Sequence, residues 1–582
     1  MRVARPSAGS RHGARSHTPG AGTRRIARAL AILSAISLPS AASAQVIHGT
    51  VSSAVGAGRV RGAVVLLVDS SLTTFARALT SDSGTFSIGA GAPGRFHLKV
   101  MRIGFRPTES LGFDLRRDTT IDVALADIPV ILPAVTTRDR NDCRLHPDTT
   151  EAGLLTFALW DQARTAILAA AITLEGHDYR FAKLLHLRVY DVKQHALRDI
   201  ALRETETRGA TPWTSLPAEQ LRHDGYVAQD DSGMTFYAPD LDVLLSPYFT
   251  EEHCFHLATA TPPDSTLVGI DFEPAERPRH VEIRGTLWLD AASKELRSLG
   301  FTFVNLPVSA DTLIGGHVDF ARLTTGAWIL PGWSIRMPTP VRSGVTRLYP
   351  SDFGARTVIS SHGRWRLSTD FIRVAGGDVR AVRRGDLDET ILWRRPTGSA
   401  RVRALAAGDT GQAAAGAIIR LAGSPYGGNA DMRGRVRFEQ VMPGTYLFEA
   451  STPLLDALDV GADRAAVTVR AGEVAEGVVK LKDLGSAAAE ACKVHELDHD
   501  TGVLAGHVLL GDDPVAKVRV SLEWIGGDPS MESRDDGYFR FCGVPIGKLI
   551  LVRASRDRLM VTTTVTLAPG EIVRPLELRL QP

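Results

Sequence analysis

A turn signature that recurs three times limits the fold of this 582-residue chain more than any other sequence feature. Each copy places an acidic residue shortly before a glycine (Gly84, Gly434 or Gly537), and a proline turn follows in each. Aspartate accepts main-chain hydrogen bonds in tight turns, and glycine readily adopts positive φ. The flanking apolar residues alternate, which is typical of half-buried strands. Short strands punctuated by such turns predict three copies of a small β-sandwich.

The first copy contains further motifs around this turn. They are Gly49-Thr50-Val51, Gly62-Ala63-Val64-Val65, Thr80–Phe86, Pro93-Gly94-Arg95-Phe96 and Arg102–Pro107. On these motifs the copy resembles the carboxypeptidase regulatory-like family, whose members are transthyretin-like sandwiches with a carbohydrate-binding-like fold. Its acid, Asp82, sits one place later than in the family pattern, and the middle copy has Val436 in place of the aromatic residue. The resemblance implies a secreted, non-catalytic accessory module and names no substrate.

The repeats divide the chain into domains, and the fold class they predict is mainly β. We expect three transthyretin-like β-sandwich domains flanking an α+β middle domain, in which one long helix lies on a curved antiparallel sheet. The predicted segments are a signal peptide at 1–44, sandwiches at 45–130, 398–483 and 500–582, the middle domain at 150–390, and linkers at 131–149 and 484–499.

The middle domain begins with the strongest helix pattern in the chain, at residues 150–171. Phe157, Trp160, Ile167 and Ala171 share one face of this helix, which we expect to lie on the sheet. The pattern is similar to lipoprotein-carrier-like half-barrels. That similarity implies an alternative function as a carrier of an apolar ligand, held between helix and sheet.

The amino terminus carries the features of a secretory signal peptide. A basic segment leads into an apolar run at 29–38, and Ala42-Ser43-Ala44 forms a small-residue cleavage pattern before Gln45. The apolar run is too short to span a bilayer, so we expect no transmembrane segment. The rest of the chain carries slightly more acidic than basic residues, which argues against nucleic-acid binding. We therefore expect export, with a periplasmic, outer-membrane-associated or secreted location.

Four cysteines in an exported chain predict two disulfides. Three pairings are open, and we favour Cys143–Cys254 and Cys492–Cys542 because each pair lies in or beside one predicted domain. A metal site is the alternative at Cys254, since histidines lie on both sides of it at 253 and 256. The chain has no C-x-x-C pair, so the disulfide is favoured.

The segment at 251–256 (EEHCFH) is a candidate for metal or acid–base chemistry. In a strand, neighbouring side chains point to opposite faces, so His253 and Phe255 would face one side and Cys254 and His256 the other. The two histidines then diverge, which favours a disulfide-anchored strand.

The sequence His495-Glu496-Leu497-Asp498-His499 matches the H-E-x-x-H pattern of zinc peptidases. On a helix it would place two histidines on one face for zinc, with Glu496 as the general base. The third ligand of the extended pattern is missing, because position 505 is alanine. The chain also continues into the expected first strand of the last sandwich. We therefore predict a linker and no catalytic residues, metal or cofactor, and keep a zinc peptidase as the alternative.

Three aromatic residues are candidates for stacking on a sugar ring: Tyr426, Trp524 and Tyr538. Tyr538 alternates with Phe539, which is expected in the core, so Tyr538 is expected to face solvent. The function predicted from the sequence is a non-catalytic exported binding or scaffolding protein of the cell envelope. Its expected partner is a glycan or another envelope protein.

Overall fold

The computed structural model describes residues 45–56, 58–127, 151–176, 179–208, 213–230, 233–259, 262–306, 313–343, 347–351, 354–358, 364–385, 390–408 and 411–581. The predicted signal peptide and Cys143 lie outside these residues. None of the described helices is both long and apolar enough to cross a membrane.

The first sandwich consists of two sheets around a core that includes Val65, Leu67, Phe86 and Leu98. One sheet has the order β4-β1-β8, with β9 also paired to β1, and the other has the order β3-β2-β5-β6, with β7 also paired to β5. Strand β1 runs antiparallel to β4 and parallel to β8 and β9. The strands are β1 (Val46–Ser53), β2 (Val64–Asp69), β3 (Thr74–Leu79), β4 (Thr85–Gly89), β5 (Gly94–Met101), β6 (Thr108–Glu109), β7 (Phe113–Leu115), β8 (Thr119–Thr120) and β9 (Val123–Leu125).

The middle domain is built on a ten-stranded antiparallel sheet, in the order β11-β10-β24-β21-β18-β17-β16-β15-β14, with β25 also paired to β24. Small hairpins and three short helices surround it. The elements are α1 (Glu151–Glu175), β10 (Tyr179–Asp191), β11 (Ala196–Thr207), α2 (Ala218–Asp224), β12 (Val227–Asp230), β13 (Gly233–Phe236), α3 (Leu241–Leu245), α4 (Pro247–Glu252), β14 (His253–Leu257), β15 (Leu267–Pro274), β16 (Glu282–Asp290), β17 (Leu296–Val304), β18 (Gly315–Asp319), β19 (Ala321–Arg322), β20 (Trp328–Ile329), β21 (Gly332–Ser343), β22 (Arg347–Ser351), β23 (Gly354–Val358), β24 (Arg364–Arg384) and β25 (Ile391–Arg394).

Helix α1 is buried between the large sheet and the first sandwich, and one apolar core includes residues of all three. The main-chain N–H of Gly104 in the first sandwich donates to Gln162 Oε1 on the helix at 2.8 Å. The prediction of which face of α1 is buried is only partly confirmed. Trp160 and Ile167 are buried, but Phe157 is 38% exposed. The first sandwich gives the helix a second buried side, which the single-face prediction did not include.

The second and last sandwiches repeat the topology of the first. Strands β26 and β33 take the place of β1, since each lies between an antiparallel strand and a parallel one. The elements are β26 (Gly398–Leu405), β27 (Ile418–Leu421), β28 (Gly427–Asn429), β29 (Arg435–Val441), β30 (Gly444–Ser451), α5 (Pro453–Ala457), β31 (Arg464–Val469), β32 (Val474–Lys480), α6 (Leu484–Cys492), β33 (Thr501–Leu510), β34 (Asp513–Pro514), β35 (Arg519–Glu523), β36 (Ser530–Glu532), β37 (Tyr538–Pro545), β38 (Ile550–Arg556), β39 (Leu559–Val565) and β40 (Val573–Arg579).

The three signature glycines have the conformation that the sequence predicts. Their φ values are 73° at Gly84, 73° at Gly434 and 76° at Gly537, in the region that favours glycine. The predicted fold class, mainly β with three sandwiches around an α+β domain, is confirmed. The segment expected as a linker at 484–499 differs, because its first half forms α6.

Candidate functional site

The second sandwich packs against the edge of the large sheet at β11. Leu197 and Ile200 of β11 belong to the same buried cluster as the core of the sandwich. The main-chain N–H of Leu202 donates to Gly423 O at 2.8 Å. A Cβ atom on Gly423 would lie 1.9 Å from Ile200 O, so only glycine allows this approach. An exposed ion pair, Arg464–Asp199 at 3.2 Å, joins the same two units.

A row of ionisable side chains crosses the large sheet. His186 Nε2 lies 3.6 Å from Asp378 Oδ2, and Asp378 Oδ1 lies 3.0 Å from Arg395 Nη1. The other nitrogen of Arg395, Nη2, lies 3.6 Å from Asp319 Oδ2, whose Oδ1 is 2.8 Å from His317 Nε2. Arg395 lies between the two carboxylates and forms an ion pair with each of them.

Two glycines make room for the cluster. A Cβ atom on Gly332 would lie 2.6 Å from Asp319 Oδ2, and one on Gly376 would lie 2.5 Å from Cε1 of His186. A larger residue at either position would therefore clash with a side chain of the cluster.

Burial governs the protonation of this cluster. Desolvation, with a smaller contribution from the nearby positive charge of Arg188, lowers the pKa of His186 to about 3, so the imidazole is neutral at pH 7. Burial raises the pKa of Asp378, and the positive charge of Arg395 opposes that rise. Arg188 itself lies over the ring of Tyr446, 5.7 Å from its centroid, and so links the large sheet to the second sandwich.

None of the residues in this cluster is predicted from the sequence as a site residue. The local pattern is misleading, because His186 and Arg188 alternate with apolar residues, which predicts that their side of the strand faces solvent. Their partners come from residues far along the chain, so only the strand order brings them together.

The last sandwich is fastened to the second one through α5 and α6. Tyr538 is 3% exposed, and its hydroxyl donates to Ala457 O at 3.0 Å. Arg540 Nη1 donates to Leu458 O at 2.9 Å. The expectation that Tyr538 faces solvent is therefore wrong. Its side of the sheet is covered by the helical segments that connect the two sandwiches.

The other two stacking candidates lie apart. Tyr426 belongs to the second sandwich, is 45% exposed, and its hydroxyl is hydrogen-bonded to Glu204 of β11. Trp524 follows β35 in a tight turn, where its main-chain N–H donates to Gly527 O at 3.0 Å, and its side chain is half-buried. The structure thus places the three aromatic residues in different surroundings and does not group them into one binding surface.

The segment His495–His499 is not helical. Helix α6 ends at Cys492, because Lys493 adopts a left-handed conformation with φ 56°. The chain then passes through bends and a turn to β33, which begins at Thr501. The two histidines therefore do not share a helix face. Within the described part of the chain, no three His, Cys, Asp or Glu side chains are arranged to hold a metal ion.

The cysteines follow the predicted pairing where the structure describes both partners. Cys492 of α6 and Cys542 of β37 form a disulfide, which confirms that pair. Cys254 in β14 is also disulfide-bonded. Because Cys143 lies outside the described residues, the Cys143–Cys254 pairing stays a prediction.

The histidines beside Cys254 have separate partners. His253 is 1% exposed, and its Nδ1 lies 3.0 Å from Phe249 O. The side chain of His256 is 43% exposed and lies 3.8 Å from Asp271. Burial lowers the pKa of His253 to about 4, so this imidazole is neutral at pH 7. The structure does not bring the two histidines together.

Comparison with protein families confirms the resemblance for the first sandwich. Residues 46–126 match the model of the carboxypeptidase regulatory-like domain, so this sandwich is a domain of that class. The other two copies share its topology. A comparison with curated proteins finds no match.

A comparison with solved structures matches, among others, three bacterial proteins. The Bacillus anthracis TIE protein is 9% identical, with 69% of this chain and 83% of that chain covered and a TM-score of 0.14. BcpA, the major pilin subunit of Bacillus cereus, is 7% identical, with 92% and 99% covered and a TM-score of 0.13. The shaft pilin SpaA from Lactobacillus rhamnosus GG is 8% identical, with 32% and 98% covered and a TM-score of 0.14. At these values the likeness carries no argument about function.

Proposed function

We propose that this protein is an exported, non-catalytic scaffold of the cell envelope that presents its β-sandwiches for binding. One observation carries the proposal: the sandwiches are joined to their neighbours by buried contacts. The first sandwich shares a core with α1, the second shares one with β11, and the last shares one with α5 and α6. Large apolar interfaces hold domains in fixed positions, whereas exposed linkers let them move. A fixed series of sandwiches suits presentation of a binding surface.

The charged cluster of the large sheet supports the same role. Arg395 immediately precedes the second sandwich and is anchored to Asp378 and Asp319 by ion pairs, while Arg188 reaches Tyr446 in that sandwich. In some proteins, ion pairs of this kind contribute more to a specific arrangement than to stability. The cluster therefore fits a role in fixing the orientation of the second sandwich.

A glycan is the ligand class that the carbohydrate-binding-like fold suggests, with Tyr426 and Trp524 as the accessible aromatic residues. Burial removes Tyr538 from this set. The fold alone suggests this ligand class, because neither aromatic side chain has a ligand-specific arrangement around it.

A glycan array tests the binding part of the proposal. The chain from Gln45 onward is screened, and hits are repeated with Tyr426→Ala and Trp524→Ala, each matched by a variant of a buried ring of the same sandwich, Phe448→Leu and Phe539→Leu. Loss of a hit in an exposed-ring variant, but not in its matched control, supports the proposal. A glycan that binds all four variants as well as the unaltered chain would show that neither Tyr426 nor Trp524 is needed for binding.

Cell fractionation tests the location, with the intact chain and a variant whose Ala42 and Ala44 are replaced by bulky residues. The proposal expects the processed protein outside the cytoplasm. Accumulation of unprocessed protein inside the cell in both cases would contradict export.

A further inference from the structure

A half-open cavity of about 190 Å³ lies between α1, α3 and β18. Its walls are apolar and include Leu174, Leu244, Val318, Phe320 and Leu330. All five side chains belong to the main core of the middle domain, and Leu330 and Leu244 are almost completely buried. The cavity therefore borders the well-packed core of the middle domain.

The size of the cavity selects small ligands. An apolar cavity of about 150 Å³ holds a benzene molecule, whereas sites for drug-sized ligands span about 300–1,000 Å³. A volume of about 190 Å³ thus fits one aromatic ring or a short branched chain. A lipid chain is too long, so the cavity does not match the apolar-ligand carrier expected from the half-barrel pattern.

The rim of the cavity is acidic. Glu175, Asp240 and Asp242 contribute to the lining, and no Lys, Arg or His is among the described residues that line it. Two of the three carboxylates are already engaged. Asp240 accepts from the main-chain N–H groups of Val243 and Ser215, and Glu175 pairs with Arg77. Asp242 has no ion pair in the described structure and is exposed at the rim.

An indole ring completes the lining. Trp213 is held in place because its Nε1 donates to Pro239 O at 3.0 Å, and its ring packs edge-on against Phe301 at 6.4 Å. Tryptophan is the aromatic side chain that attracts cations most strongly across its ring face. A fixed indole and a free carboxylate in one apolar cavity are the elements that recognise an organic cation.

We propose that this cavity binds a small organic ammonium ion, with its apolar body among the leucines and its charged group near Asp242 and Trp213. The anion-rich rim disfavours carboxylates of the same size, and the apolar walls disfavour hydrated metal cations. This site is independent of the sandwich surfaces, so the result of a glycan array has no bearing on it.

Isothermal titration of the chain from Gln45 onward with three matched probes tests the proposal. Benzylammonium, benzyl alcohol and benzoate have similar bodies and differ in charge. We expect saturable binding of benzylammonium, binding of benzyl alcohol weaker by about fivefold or more, and no binding of benzoate. Absence of saturable binding, or equal affinity for ammonium and alcohol, overturns the proposal.

Two variants locate the site. Asp242→Asn should weaken binding of benzylammonium about threefold or more and leave that of benzyl alcohol unchanged, with the remaining preference for the ammonium ion due to Trp213. Asp114→Asn on the first sandwich should leave both affinities unchanged. Ala171→Leu, which adds volume inside the cavity, should abolish binding of both probes. Its folding is checked by circular dichroism. If a well-folded Ala171→Leu chain still binds benzylammonium, the cation binds elsewhere and the proposal is wrong.

Discussion

The hydroxyl of Tyr538 in the last sandwich donates to the main-chain carbonyl of Ala457, at the end of α5, at 3.0 Å. Arg534 adds an ion pair to Asp459 at 2.7 Å across the same boundary, and its guanidinium lies over the Tyr538 ring. The alternation of side chains along the strand predicts that Tyr538 faces solvent. In the structure it is part of the joint between the second and last sandwiches. These contacts join the second and last sandwiches.

Removing only the hydroxyl of Tyr538 should weaken this joint. Tyr538→Phe leaves Ala457 O without its donor, and we expect about 1 kcal/mol less free energy of unfolding for the last sandwich. Tyr426→Phe is the matched control, because that ring is 45% exposed, and its effect should stay within about 0.5 kcal/mol. Urea unfolding followed by fluorescence measures both. Equal effects of the two substitutions would contradict the assigned role of Tyr538.

The Cys492–Cys542 disulfide should stabilise the last sandwich mainly by restricting the unfolded chain. The two residues are 50 positions apart, which corresponds to about 4 kcal/mol in the chain-entropy model. The double variant Cys492→Ala/Cys542→Ala should lose about this amount in urea unfolding. Cys542→Ala alone should lose about as much as the double variant, because one cross-link is removed in either case. Additive losses would show that the two cysteines act separately.

Alanine substitutions at Gly423 and Gly416 distinguish the cost of a strained backbone from the cost of a steric clash, because the two glycines have similar φ values. Gly423 has φ 71° and Gly416 has φ 76°, but only Gly423 approaches another chain segment, at Ile200. Gly416→Ala should cost about 1–2 kcal/mol from strain alone. Gly423→Ala should cost more and should release the second sandwich from β11. Limited proteolysis would then cut near β11 in Gly423→Ala only. Identical behaviour of both variants would mean that this contact does not hold the domains together.

The buried histidines should make the protein sensitive to mild acid. Burial lowers the pKa of His186 to about 3 and that of His253 to about 4, whereas the unfolded chain has a value of about 6.5. Below pH 6.5 the unfolded state binds protons that the folded state does not, so stability falls as the pH falls. Each histidine should contribute a slope of up to about 1.4 kcal/mol per pH unit between pH 6.5 and about 4.

Denaturant unfolding at a series of pH values measures this slope. His186→Gln and His253→Gln should each flatten it by about one proton, and His256→Gln, at a side chain that is 43% exposed, serves as the control. The raised pKa of Asp378 acts in the opposite direction, because the folded state then holds its proton more tightly. Asp378 is present in every variant, so the difference in slope between each variant and the unaltered chain reports the replaced histidine. A slope that is unchanged in both buried-histidine variants would contradict the prediction.

Local sequence was sufficient to predict the sandwiches and one covalent bond. The turns at Gly84, Gly434 and Gly537 depend on residues a few positions apart, so their chemistry is visible in the sequence. The Cys492–Cys542 bond could be predicted for a similar reason, because each cysteine lies in or beside the same repeat. Alternating apolar residues likewise indicated which strands have a buried side.

Only the tertiary structure decided which outer faces are covered and which charges meet. Phe157 fits the apolar face of its helix and is exposed, while Tyr538 alternates as a surface residue and is buried. Asp378 and His186 lie on neighbouring strands that are nearly 200 positions apart in the chain. Periodicity identifies the sides of one element, but burial depends on which other element packs there. That choice is made by contacts between distant segments, which leave no local trace in the sequence.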